Sequence, residues 1–246
     1  MTKNNLTQKT SISVFFPCYN DAKSIGRLVL DAQRVLTGLV KDWEILVVND
    51  GSTDDSLRVL NELRVSVPRL KIIQHVQNKG YGAALRSGFE AATKSLVFYT
   101  DGDGQYDVKE LAVLVPLMTP EIDFVNGIKM SRRDPTYRIV LGNWYSLMAR
   151  WMFWLPIFDV DCDFRLIRRS TLRKISLTSN SGSICIELVK KAELAGARFR
   201  QVSIHHHERK HGVSQFFRID RLFYTFCEVF VLWLEAVPRQ YLAKHA

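Results

Sequence analysis

Cysteine is scarce in this sequence. Only four occur, Cys18, Cys162, Cys185 and Cys227, and no two form a C-x-x-C pair. Neither a zinc site nor a disulfide framework is therefore suggested, and a reducing, cytosolic setting is expected. Long apolar runs are also missing. The most apolar stretch, Leu222 to Val237, is interrupted by Glu228 and Glu235 and falls short of the roughly 20 residues that span a bilayer. Met1 to Thr10 is polar, without the apolar core of a secretory signal, and is expected to be a flexible end (1–10). No tandem repeat and no low-complexity linker divides the chain, and 246 residues suffice for one α/β domain with an appendage.

Positive charge is abundant. With 34 basic against 25 acidic residues, the formal charge of +9 favours an anionic partner: nucleotide phosphate, a lipid surface or nucleic acid. A basic nucleic-acid-binding module is the alternative of a different class. No recognition helix or RNA-binding signature accompanies the charge, so no nucleic-acid partner is expected. Arg218, Arg221 and Arg239 flank Phe223, Phe226, Phe230 and Trp233. Residues 216–246 thus read as an amphipathic segment that either lies in a membrane interface or packs on the core or a second copy in a homo-oligomer.

Ser11–Phe16, Glu44–Val48, Lys71–His75 and Leu96–Thr100 read as strands, and Asp21–Leu36, Asp54–Val65, Gly82–Thr93 and Lys109–Met118 as helices between them. Repeated βα units predict a mostly parallel central sheet flanked by helices, with ligands bound beyond the carboxyl ends of its strands. A strand at Asp123–Ile128, an aromatic-rich helix near Ile139–Leu155, a helix over Ser183–Ala195 and an extended Arg198–Ile204 follow.

The apolar run Leu96–Thr100 ends in Asp101-Gly102-Asp103-Gly104-Gln105. Asp101 and Asp103 offer hard oxygen ligands for Mg²⁺ or Mn²⁺, ions usually completed by water and substrate phosphates. Gln105 would add a carbonyl ligand or orient a water. Taken alone, the same residues also describe a surface turn. The three other strand ends, Pro17–Asp21, Asn49–Ser52 and Asn78–Gly82, converge with the acidic pair on one site.

In this order the motifs resemble the family-2 nucleotide-sugar glycosyltransferases, and within them the dolichyl-phosphate mannosyltransferases and bacterial polyprenyl-phosphate hexosyltransferases. The resemblance rests on Pro17–Asp21 (PCYND), Val48–Asp54 (VNDGSTD), Asn78–Ala84 (NKGYGAA), Asp101–Gln105 (DGDGQ), Asp159–Arg165 (DVDCDFR) and Arg209–Phe216 (RKHGVSQF). It implies a GT-A fold over 11–215, a divalent metal and inverting transfer of a hexose from a UDP- or GDP-linked sugar. The acceptor it implies is polyprenyl phosphate, at the cytosolic face of a membrane; a soluble or other glycan acceptor is the alternative.

The resemblance assigns Pro17, Tyr19, Asp21 and Asp50 to base and ribose, with capping as the other role of Asp21 and Asp54. Asp50 is expected on the nucleotide and Asp54 at a helix start. Asn78, Lys79, Gly82 and Arg86 would approach the nucleotide. Asp161 is the carboxylate expected near the acceptor, with Asp159 and Asp163 as neighbours that strand geometry would point to the same face. Arg132, Arg133 and Arg138, and the run Arg209-Lys210-His211 before Gly212-Val213-Ser214, would grip phosphate, with Arg209 and Ser214 at the reacting centre. Of His205, His206 and His207, alternation along a strand predicts one inward and the others exposed. Trp151, Phe153 and Trp154 are expected to contact lipid. Two departures stand out. The membrane-spanning helices that follow the catalytic domain in many relatives are not matched before Ala246, and Gln215 occupies a position that is often basic.

Overall fold

The computed structural model describes residues 10–130, 136–209 and 224–236. Seven strands, β1 (Ser11–Cys18), β2 (Asp42–Asp50), β3 (Leu70–His75), β4 (Leu96–Thr100), β5 (Phe124–Met130), β6 (Phe164–Arg168) and β7 (Phe199–His205), form one sheet in the order β3-β2-β1-β4-β6-β5-β7. β1 pairs in parallel with β2 and β4, β2 with β3, and β5 with β7. Only β6 runs antiparallel to its neighbours β4 and β5. The expected mostly parallel sheet is therefore present, with one reversed strand inserted between β4 and β5.

Alternation along the central strands feeds two cores. Ile12, Val14 and Phe16 of β1, Ile45 and Val47 of β2, and Leu96 and Phe98 of β4 face one layer; Phe15, Leu46, Val97 and Tyr99 face the other. The first layer is covered by α1 (Ala22–Leu39) and α2 (Ser56–Ser66). α1 lays down Ile25, Leu28, Val29, Ala32 and Leu36, the spacing of a single buried helical stripe. The second layer is covered by α3 (Tyr81–Ala91), α4 (Thr136–Phe153), α5 (Ile184–Leu194) and a last helix, α6 (residues 224–236).

Two expected elements differ. Lys109–Met118 is a helical turn, Leu111–Leu114, between two 3₁₀ turns, Val108–Glu110 and Val115–Leu117. Pro116 supplies no backbone N–H, which prevents a continuous α-helix there. Asp159–Asp163 is turn and coil, and β6 begins only at Phe164. The three aspartates consequently do not share a strand face.

Candidate active site

Parallel β1, β2 and β4 end on the same edge of the sheet, and their following loops build the site. The turn after β4 passes so close to β1 that a Cβ on Gly102 would lie 2.5 Å from the carbonyl oxygen of Pro17. Only glycine lets Asp101 and Asp103 leave the strand there. Pro17 thus belongs to the wall of the site through its backbone. Asp101 is half-buried, and its Oδ1 accepts a hydrogen bond of 2.7 Å from the Tyr81 hydroxyl. Burial first, then the charges of Asp163 and Asp103, hold its carboxyl well above the usual carboxylate range.

Asp103 accepts the backbone N–H of Gln105 at 3.0 Å and lies 3.7 Å from Arg209 Nη1. The other end of the same guanidinium lies 3.4 Å from Asp21. Burial and the Asp103 charge lift Asp21 to about 6, while Arg209 opposes them. Asp21, Asp103 and Arg209 are thereby brought together.

This donor set fits a hard divalent cation. A partly desolvated carboxylate crowded by other carboxylates is stabilised by positive charge placed between them. Among the described residues no group of three or more His, Cys, Asp or Glu side chains forms a closed metal cluster. Asp101 and Asp103 would hold Mg²⁺ or Mn²⁺ with water and diphosphate oxygens completing the shell. Gln105 is used differently from the expectation: its side-chain amide donates to the His207 carbonyl at 3.1 Å, and its own carbonyl accepts the His207 N–H at 2.8 Å. It ties the acidic turn to the segment that delivers Arg209.

On the nucleotide side, the structure reassigns several residues. Asp50 Oδ1 accepts the Lys79 N–H at 2.9 Å and faces His75 Nδ1 at 2.6 Å, and its Oδ2 accepts the Gly80 N–H at 3.0 Å. Three of a carboxylate's roughly four acceptor positions are therefore filled from within the chain. His75 Nε2 continues to Ser87 Oγ at 2.9 Å. Asp50 shapes the loop after β3, and Asn78 Nδ2 bonds the Asp50 carbonyl at 3.2 Å. Lys79 holds this loop through its backbone while its side chain is exposed.

The glycines of this loop admit protein, not ligand. A Cβ on Gly80, whose φ is +95°, would meet the Asn180 carbonyl oxygen at 2.6 Å, and one on Gly82 would meet that of Ser179 at 2.3 Å. Arg86 likewise turns away from the expected nucleotide contact: it binds the carbonyls of Thr178 and Ser179 and Oδ1 of Asn180. Asp54 caps as expected, accepting the Ser56 N–H at 2.9 Å and, across the loops, that of Ala22 at 3.0 Å. Asp21 stands at the start of α1 without a side-chain cap and instead accepts the Tyr19 N–H at 3.3 Å.

On the far side of the metal site, the turn 159–163 sends its aspartates apart. Asp159 accepts the Lys129 N–H at 3.1 Å. Asp161, with 40% of its side chain exposed, lies 3.1 Å from Lys129 Nζ. Asp163 accepts from the Tyr99 hydroxyl at 3.1 Å and the Cys185 thiol at 3.2 Å. Beneath them Arg165 is fully buried, donating to Asn126 at 2.9 Å, the Cys162 carbonyl at 3.0 Å, the Tyr99 hydroxyl at 2.9 Å and the Val160 carbonyl. That network fixes the turn, and Asp161 is its most open carboxylate. His206 is the inward histidine, its ring edge-on to Tyr106 at 5.0 Å, and His205 and His207 are exposed. Arg132, Arg133, Lys210, His211 and Ser214, and the side chain of Arg138, lie outside the described residues.

α4 exposes Val140, Trp144, Leu147 and Trp151 along one stripe, continued past its end by Trp154 and Phe158. Trp151 is 78% exposed, whereas Phe153 is 0% exposed and belongs to the core, which corrects the expected lipid contact for Phe153. α6 buries Val229, Leu232 and Ala236 and exposes Tyr224, Phe226, Phe230 and Leu234. No described helix is long and apolar enough to cross a membrane.

The chain belongs to glycosyl transferase family 2, whose model matches residues 13–176. A curated relative, dodecaprenyl-phosphate galacturonate synthase of Rhizobium johnstonii, is 27% identical over 87% of this chain and 64% of its own length. Another, undecaprenyl-phosphate 4-deoxy-4-formamido-L-arabinose transferase of Pectobacterium carotovorum, is 28% identical over 84% of this chain and 62% of its own. The chain thus spans a little under two thirds of the length of these relatives. Among solved structures, glucosyl-3-phosphoglycerate synthase from Mycobacterium tuberculosis in complex with Mn²⁺ and UDP-glucose superposes with a TM-score of 0.69 at 19% identity, covering 92% of this chain and 79% of that one. The fold is therefore of the GT-A type.

Tyr81, His75 and Lys129 escape a reading by motif chemistry. Tyr81 lies inside the NKGYG block, between the two glycines that attract attention, and its role shows only when α3 is folded against β4.

Proposed function

We propose that the protein transfers a hexose from a nucleoside-diphosphate sugar to polyprenyl phosphate at the cytosolic surface of a membrane, with inversion at the anomeric carbon. The observation that carries this reading is the acidic pair Asp101 and Asp103 at the end of β4, crowded by carboxylates and faced by Arg209, within a family-2 chain. The names of the curated relatives support the acceptor class, and the exposed tryptophan stripe of α4 supports a lipid surface.

A bound Mg²⁺ or Mn²⁺ would supply Lewis acidity to the leaving diphosphate. Asp101 and Asp103 would hold it, Tyr81 orienting Asp101 from behind. Arg209, between Asp21 and Asp103, would bind diphosphate oxygens of the donor. A phosphate oxygen of the acceptor forms the new bond to the anomeric carbon as the bond from that carbon to the β-phosphate oxygen breaks, its electron pair leaving with the nucleoside diphosphate. The acceptor phosphate is already anionic near neutral pH, so no proton need be removed. The exposed Asp161, held by the buried Lys129, would lie on the acceptor side and set the approach of the acceptor phosphate.

The test is a competition between acceptors. Enzyme, Mn²⁺ and a panel of UDP- and GDP-sugars are supplied with short polyprenyl phosphate, with 3-phosphoglycerate or with neither, and products are read by mass spectrometry. A glycosyl-phosphoryl lipid is expected. Product on the soluble phosphate alone would replace the lipid acceptor with a soluble one, and donor hydrolysis alone would remove both.

A further inference from the structure

We propose that Glu228, on the last helix, is a positioning residue for the donor and metal site; the inference rests on the reading of that site given above. As a sequence feature Glu228 only interrupts an apolar run. In the fold its carboxylate is a hub. Oε1 accepts the Asn180 N–H at 3.0 Å, and Oε2 accepts the Ser181 N–H at 3.1 Å and the Ser181 and Ser183 hydroxyls at 2.6 Å each. These groups form the approach to α5, so one charged side chain holds the loop 180–183 on four hydrogen bonds. Burial would raise its carboxyl, but these donors outweigh it and keep the group below the usual carboxylate range, fully ionised at neutral pH.

The opposite side of that loop carries the nucleotide-side turn. The Asn180 carbonyl accepts the Gly82 N–H at 2.9 Å, and the space a Cβ would need at Gly80 or Gly82 is taken by the carbonyls of Asn180 and Ser179. Arg86 clamps the two together through Thr178, Ser179 and Asn180. Contact this close leaves no slack, so the loop's position sets that of Gly80-Tyr81-Gly82. Tyr81 then bonds Asp101 at 2.7 Å, and the Gly80 N–H is held by Asp50. From Glu228 to Asp101 every step is a hydrogen bond or a backbone contact. α6 thereby completes a site none of its own residues touches.

Calorimetry of Mn²⁺ with UDP and, separately, with GDP on the full chain tests this. Glu228→Gln keeps the shape but removes the charge and replaces one acceptor oxygen by a donor, which cannot accept from the backbone N–H facing it. An affinity loss of about tenfold for the Mn²⁺–nucleotide pair is expected, the size of losing a hydrogen bond to a charged group. Vesicle association and far-ultraviolet circular dichroism should stay unchanged. Ser183→Ala, which removes one of the four bonds, should show the same loss to a smaller degree and serves if Glu228→Gln does not fold. Glu235→Gln, exposed on the same helix, should bind as the wild type does. Wild-type affinity in a folded Glu228→Gln or Ser183→Ala protein overturns the inference. Failure of the wild type to bind either nucleotide would instead overturn the donor-site reading.

Discussion

Tyr81 reaches the half-buried carboxylate of Asp101 with a single hydrogen bond, and no other described side chain donates to that group. Tyr81→Phe removes the donor and keeps the ring, so Mn²⁺ affinity should fall about tenfold, as for other groups that orient a ligand from behind, with the fold intact. Isothermal titration with Mn²⁺ and a nucleotide measures this. Asp103→Ala removes a ligand outright; turnover should fall by at least about a hundredfold while the circular dichroism spectrum is preserved. The acidic pair was legible in the sequence because its chemistry is local: an apolar strand, two carboxylates and a glycine between them. Asp50, Gly82 and Arg86 were legible as important but not as structural. Gly82 and Arg86 touch the loop 178–180, about a hundred residues away in sequence, and Asp50 holds the loop after β3, roughly thirty residues away; no local pattern reports such contacts.

The fate of each helix depends on which residues face inward. In α4, Trp144 and Trp151 lie on the exposed stripe while Phe153 is in the core. Trp144→Ser with Trp151→Ser should weaken binding to anionic vesicles in a sedimentation assay and leave urea unfolding nearly unchanged. Phe153→Ala should instead lower unfolding free energy by about 3 to 5 kcal/mol through a cavity. The helical period was visible in the sequence; the phase that separates Trp151 from Phe153 was blurred because apolar residues occur on every side.

β2 offers a pH test away from the site. Burial would raise the carboxyl of Glu44, but Lys71, Ser13 and Thr93 bond to it and bring it down to about 2 from 4.5. A carboxyl lowered by folding contributes stability above its unfolded value of 4.5, and that contribution is lost as pH falls toward about 2. Urea unfolding between pH 5 and pH 2 should show the acid loss flattened in Glu44→Gln. The turn 159–163 was hidden because its shape comes from the buried Arg165 just after it, which folds back to bond the Cys162 and Val160 carbonyls, and alternation of residue types does not reveal a turn closed by a guanidinium on backbone carbonyls.

At the scale of the molecule, one layer of helices joins the two ends of the proposed chemistry. α3, which carries Tyr81, and α4 and α6, which expose the aromatic stripes, all pack on the same face of the sheet. The acidic site stands at the edge where β1, β2 and β4 end. A chain of formal charge +9 with such a face is suited to an anionic lipid surface, and its vesicle binding should weaken as salt is raised. The order of the βα units fixed the parallel part of the sheet in advance, whereas the reversed β6 depends on long-range pairing.

The most direct test of the whole account follows labelled sugar from a nucleotide donor into the lipid fraction containing polyprenyl phosphate, with wild type and Asp103→Ala side by side in Mn²⁺. The account predicts a glycosyl-phosphoryl lipid with the wild type, lost on chelation and absent with the variant. Equal lipid labelling by both proteins, or none by either when the wild type consumes the donor, would contradict it.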